Sequence, residues 1–185
     1  MAKFLVGLLV GILIVFLGGY LYFRFGNPPV AVADSPFPFE AQIVHVPMKA
    51  RIDKEAPASA PIQPTPDNLL AGAKIYRVQC AACHGLENQP SAFASHMYPP
   101  APQLWARHHN GAVVGVSDDP VGETYWKVAN GIRLTGMPAF DKVLNQTQMW
   151  QVSLLLKKAD KPLPEVQQLM QQPMEAVSAQ EHAAH

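Results

Sequence analysis

Cysteine is scarce in this chain, with two in 185 residues. That leaves no second cysteine pair for a zinc site, and the pair it has lies outside any strand–helix–strand pattern of a thioredoxin-like dithiol. Excess charge is also missing. Fourteen Lys+Arg balance fourteen Asp+Glu, for a formal net charge of zero, so no nucleic-acid footprint is present. Between residues 67 and 160, eight basic residues meet seven acidic ones. The dense basic ring that steers a diffusing protein to an acidic partner is therefore absent. The length fits one modest domain with appendages.

The two cysteines stand together in Cys80-Ala81-Ala82-Cys83-His84. C-x-x-C-H is the attachment sequence of a c-type haem. At a helix end, positions i and i+3 share a face, so both thiols can add to one edge of a flat ring as thioethers. His84 follows where the chain can turn towards the iron as first axial ligand. The competing readings are a redox dithiol, or a zinc site completed by His84 with His96, His108 or His109, whose spacing is irregular. A second ligand is found in Asn130-Gly-Ile-Arg-Leu-Thr-Gly-Met-Pro-Ala-Phe140. Met137, between Gly136 and Pro138, sits in a loop that cannot be regular helix and can present its thioether to the opposite face of the iron. His/Met ligation is the usual choice in electron-transfer cytochromes. Met97 and Met149 remain competitors, Met149 on a helix that looks like packing.

These motifs, together with Gly72 to Tyr76, Gly85 and a final amphipathic helix containing Trp150, resemble a class I monohaem cytochrome c of the membrane-anchored bacterial respiratory type. The likeness runs from about residue 67 to 160. It implies an all-α, cytochrome c-like helical domain around one covalent haem c. It further implies that the Gly72/Tyr76 helix crosses the Trp150/Leu154 helix, and that a proline carbonyl accepts the second ring N–H of His84. Pro99 and Pro100 are the candidates for that carbonyl.

Upstream, Phe4 to Phe23 is a run of twenty apolar residues without a charge. At ~1.5 Å per residue it spans ~30 Å as a helix, the thickness of a bilayer core. Residues 1–26 therefore read as a single-pass anchor. The alternative is a signal peptide cleaved after Ala31-Val32-Ala33, for which the run is long. Residues 27–66 hold half of the eighteen prolines and read as a linker without helix or central strand, reaching ~120 Å if extended at ~3.1 Å per residue. Its apolar patches, Phe37-Pro-Phe39 and Ile43 to Val46, suit lying along a partner protein or the domain itself.

Within residues 67–160, Asp67 is the expected N-cap of the first helix, with Leu69, Ala73, Tyr76 and Cys80 on its buried stripe. Asp119 and Pro120 are expected to start a second, ended by Gly131 in a left-handed conformation. Asn145 and Gln148 are expected to form a capping box on the last. Tyr125 and Trp126 are candidate haem-wall aromatics, and Arg133 is a candidate partner for a haem propionate. Residues 161–185 read as a tail, with a short helix possible over Glu165 to Met170 and a His182/His185 pair at its end.

The expected function is single-electron transfer, not enzyme catalysis. The haem domain would lie on the periplasmic side of a bacterial cytoplasmic membrane. Its partners would be the membrane and redox proteins, foremost other subunits of a respiratory complex, with neither nucleic acid nor a small-molecule substrate. A mobile tethered carrier between a quinol-oxidising complex and a terminal oxidase is the alternative. An open-site haem sensor or peroxidase-like enzyme is the third reading.

Overall fold

The computed structural model describes residues 1–108 and 111–174. The chain forms two units, residues 1–44 and 45–185. In the first, α1 (Ala2–Phe25) buries none of its side chains. It is long and apolar enough to cross a membrane. Gly26 closes it, its N–H donating to the Tyr22 carbonyl at 2.8 Å.

The proline-rich stretch departs from expectation. It contains a helix, α2 (Glu40–Glu55), with Pro47 inside it. Met48 to Ala56 is free of proline. Ion pairs one turn apart, Lys49–Asp53 and Arg51–Glu55, both at 2.9 Å, line its exposed side. Such surface pairs contribute only a few tenths of a kcal/mol each, so tertiary contact must hold the segment. Within the second unit, Ile52 is buried, and Glu55 accepts the Trp126 indole N–H at 3.0 Å. The Arg51 guanidinium lies 6.0 Å from the same ring.

α3 (Pro66–Gln79) begins two residues earlier than expected. Thr65, not Asp67, is its N-cap, accepting from the Asn68 N–H at 3.3 Å, and Pro66 takes the first helical position. Asp67 then sits in the first turn, where its charge suits the helix dipole. α4 (Ala81–His84) is a single turn directly after it, and a 3₁₀ turn follows at Ala94–His96. A two-residue hairpin, β1 (Arg107–His108) with β2 (Val113–Val114), is all the strand structure among the described residues.

α5 (Val121–Asn130) has Pro120 as its N-cap. Asp119 lies outside the helix and faces Lys127 at 3.7 Å, so it does not cap as expected. Gly131 ends the helix at φ +65°, as the sequence predicts. α6 (Gln146–Lys157) carries the full Asn145/Gln148 capping box. α3 and α6 cross at Gly72, where an added Cβ would overlap the Gln151 carbonyl and crowd Leu155. Tyr76, Val152, Leu154 and Leu155 build the core around that crossing.

The core runs past residue 160. α7 (Pro164–Gln171) buries Val166 and Met170 completely. Arg77 of α3 donates to the Leu169, Gln172 and Pro173 carbonyls at 2.7–2.9 Å. The stretch read as a tail is thus, to at least Pro173, part of the domain. The helix expected there is present, and its i, i+4 apolar pair is its docking face. His109, His182 and His185 lie outside the described residues.

The docked half of α2 makes a pH prediction. Glu55 is held below the ordinary glutamate range by the Trp126 N–H first and by Arg51 second. A carboxylate so lowered stabilises docking above the ordinary range and loses that effect as pH falls through its lowered value. Amide protection factors over residues 50–56, taken relative to the intrinsic exchange rate at each pH, should therefore fall on acidification, and Trp126→Phe should produce the same loosening at neutral pH. Unchanged protection in Trp126→Phe would show that Ile52 alone carries the contact.

Candidate functional site

The site grows from the end of α3. Cys80 lies where α3 ends and α4 begins, and its carbonyl accepts from the Cys83 N–H at 3.1 Å and the His84 N–H at 2.9 Å. This single turn brings the two thiols and His84 together as the motif requires. Cys80 and Cys83 form no disulfide. Burial, and then Cys83, push the Cys80 thiol up to about 12. Reactive dithiols have lowered thiol pKa values, the opposite direction to Cys80. Among the described residues, no three His, Cys, Asp or Glu side chains converge to hold a metal ion.

Gly85 reverses the chain at φ +70°, where a Cβ would strike the Gln103 side chain and the Gln89 carbonyl. The reversal presents the His84 ring to the Pro102 carbonyl, with Nδ1 and O 2.8 Å apart. Burial lowers the His84 pKa, with the Pro102 bond acting against it. A neutral ring whose Nδ1–H donates to Pro102 leaves the Nε2 lone pair for a metal. The partner is thus Pro102 rather than Pro99 or Pro100. Gln103 decides this. Its amide donates to the Cys83 carbonyl at 3.2 Å, and its Oε1 accepts from the Ser91 N–H at 2.7 Å. The Leu104 N–H then meets the His84 carbonyl at 3.1 Å. With residues 103 and 104 pinned to this turn, the carbonyl just before them faces the ring.

Tyr76 contributes more than apolar packing. Its fully buried hydroxyl donates to the Gly85 carbonyl at 2.9 Å and lies 3.3 Å from the His84 carbonyl. Nothing in helical spacing distinguishes this role from that of a core aromatic. Gln103 was equally invisible, since its partners at Cys83 and Ser91 are backbone groups distant in the chain. Tyr76→Phe should cost about 1–3 kcal/mol, because the buried Gly85 carbonyl loses its donor, whereas the His84 carbonyl keeps Leu104. Chemical denaturation of the haem-loaded protein measures the loss, and an unchanged midpoint would show that water replaces the hydroxyl.

Met137 is half-buried and packs against Val128, Leu144 and Met149. The loop is tied down on both sides. The Met137 N–H donates to Thr135 Oγ1 at 3.1 Å, the Ile132 N–H to the Met137 carbonyl at 3.2 Å, and the Phe140 N–H to the Val128 carbonyl at 3.0 Å. Met149 is a buried helix residue, in keeping with packing. Met97 lies against Gly136, whose added Cβ would overlap its methyl. Of the two candidate wall aromatics, Tyr125 stacks on Trp150 at 3.9 Å, while Trp126 is committed to α2. Arg133 is exposed. His108 bonds the Gly115 carbonyl, and His96 is an exposed end of the 3₁₀ turn.

The motif turn therefore fits a haem c: two cysteines within one turn and a neutral imidazole with its far nitrogen fixed. Comparison with known families agrees. Residues 67–154 match the model of the family described as cytochrome C oxidase, cbb3-type, subunit III. That match makes the segment a monohaem c-type cytochrome domain, with covalent haem c and a role in electron transfer. The fold, mostly helical with little strand, is that of the expected class. No curated protein matches the chain significantly.

Proposed function

From the premise that residues 67–154 form a monohaem c-type cytochrome domain, we propose that the chain is a membrane-anchored single-electron carrier serving a respiratory membrane complex as a subunit. The observation that carries the reading is the His84 Nδ1–Pro102 bond at 2.8 Å, which leaves one nitrogen free beside two cysteines. Cys80 and Cys83 would hold the haem through thioethers, and His84 and Met137 would ligate its iron. Haem c supplies the one-electron couple. The chain's own residues supply everything else. Pro102 fixes the imidazole plane and raises its basicity. Tyr76 and Leu104 hold the peptide beneath it. The neutral sulfur of Met137 favours the reduced state and raises the potential. With His84 and Met137 both ligating the iron, no open site would remain for substrate.

α1 anchors the domain, with the haem side facing the periplasm, where this motif receives its haem. The docked half of α2 is unavailable as free tether, which shortens the reach and favours a fixed subunit over a long-range shuttle. Oxidised and reduced spectra in mild detergent, with carbon monoxide added to the reduced sample, test the ligation. A low-spin spectrum with a methionine-to-iron charge-transfer band, indifferent to carbon monoxide, is expected. Ready carbon monoxide binding would overturn Met137 as ligand. Co-purification of further haem-bearing subunits tests the assembly, and isolation of the chain alone in the same detergent would favour a mobile carrier.

A further inference from the structure

Behind the His84 turn lies a partly enclosed cavity of about 50 Å³, where Glu87, Trp105, Arg107 and Gln167 meet Ala159 and Pro162. Trp105 is 5% exposed. Among the described residues, neither its indole N–H nor Glu87 Oε2 has a hydrogen-bond partner, although both are buried. The indole N–H faces the Tyr76 hydroxyl oxygen closely enough to act on it, but it does not reach hydrogen-bonding geometry with that oxygen or with any other described group. The other carboxylate oxygen, Glu87 Oε1, accepts from Gln167 of α7 at 3.3 Å. Unpaired buried polar groups are rare because each keeps its full desolvation cost.

The wall chemistry selects the occupant. An indole N–H only donates and Arg107 is cationic, so a metal ion is disfavoured. The Glu87 carboxylate disfavours an anion. What fits is a neutral molecule that accepts from Trp105 and donates to Glu87. One water needs about 10–15 Å³, so the space holds about three to five. We propose that the cavity is a buried water site, in which ordered water bridges Trp105 Nε1–H to Glu87 Oε2 and joins the loop after His84 to α7. The bridge has a structural consequence. Trp105 meets the Tyr76 ring edge-on at 6.1 Å, so water held there braces the side chain that supports the ligand turn.

The chain has three tryptophans, so ¹⁵N-tryptophan labelling of the full, haem-loaded, reduced protein in detergent yields three indole signals, and Trp105→Phe assigns the one in question. The expected result is a persistent Overhauser contact between the Trp105 indole proton and water, with slow exchange into D₂O. Glu87→Leu should weaken that contact and shift the signal, while Glu87→Gln, which keeps an acceptor oxygen, should largely preserve it. The double variant Trp105→Phe/Glu87→Leu should lose no more in denaturation midpoint than the worse single variant, because both remove one bridge. An indole proton without water contact, a signal indifferent to Glu87→Leu, or fully additive losses would each overturn the site.

Discussion

Met137→Leu is expected to convert the reduced protein from one that ignores carbon monoxide to one that binds it readily, and to abolish the methionine charge-transfer band of the oxidised form. Leucine has nearly the volume of methionine, and such exchanges usually cost under about 1.5 kcal/mol. The loop should survive, since its ties are made by Gly131, Ile132, Thr135 and Phe140, not by the sulfur. What disappears is the donor. An open position then takes carbon monoxide, and the potential falls with the loss of the thioether. Met149→Leu is the control, because its side chain belongs to the buried face of α6. Met97→Leu is the decisive comparison, because Met97 rests against Gly136, one residue from Met137. If Met97→Leu opens the iron and Met137→Leu does not, the ligand assignment moves to Met97. The readouts are absorption spectra and a redox titration, so loss of ligation is separated from loss of fold.

Gly72→Val is expected to destabilise the haem domain by about 3 kcal/mol or more. Overpacking a well-filled core typically costs about 1–3 kcal/mol. Here the conflict is with the Gln151 backbone carbonyl, beside Leu155, and backbone cannot rotate away. To accommodate a branched side chain, α3 and α6 must separate, which loosens Tyr76, Val152 and Leu155 together. Against the ~5–15 kcal/mol typical of a whole domain, that is a large fraction. Lys74→Ala, on the exposed side of the same helix, should change little. Denaturant unfolding followed at the haem absorption and by far-ultraviolet circular dichroism gives both values. A Gly72→Val midpoint near that of the parent would mean the helices do not cross this closely.

Much of this protein was determined by sequence alone, wherever the deciding interactions are covalent or within a few residues. Cys80, Cys83 and His84 announce a haem by their spacing. The Asn145/Gln148 box and the Gly131 turn follow from bonds that each segment makes with itself. The apolar run of α1 needs only its length and composition.

Tertiary structure decided the rest, where a residue acts on a group distant in sequence. Pro102 rather than Pro99 or Pro100 faces His84 because Gln103 reaches back twenty residues to Cys83. Tyr76 holds the ligand turn through its hydroxyl, though its spacing shows only an apolar face. The second half of α2 is held where Ile52 is buried and Glu55 accepts from Trp126 of α5, and without those contacts its proline-rich surroundings read as linker. Val166 and Met170 become core only once Arg77 and the α3 surface are in place to receive α7. A local pattern can specify a bond that closes within a turn. It carries no information about which distant donor will be near an acceptor, because packing the whole chain sets that distance.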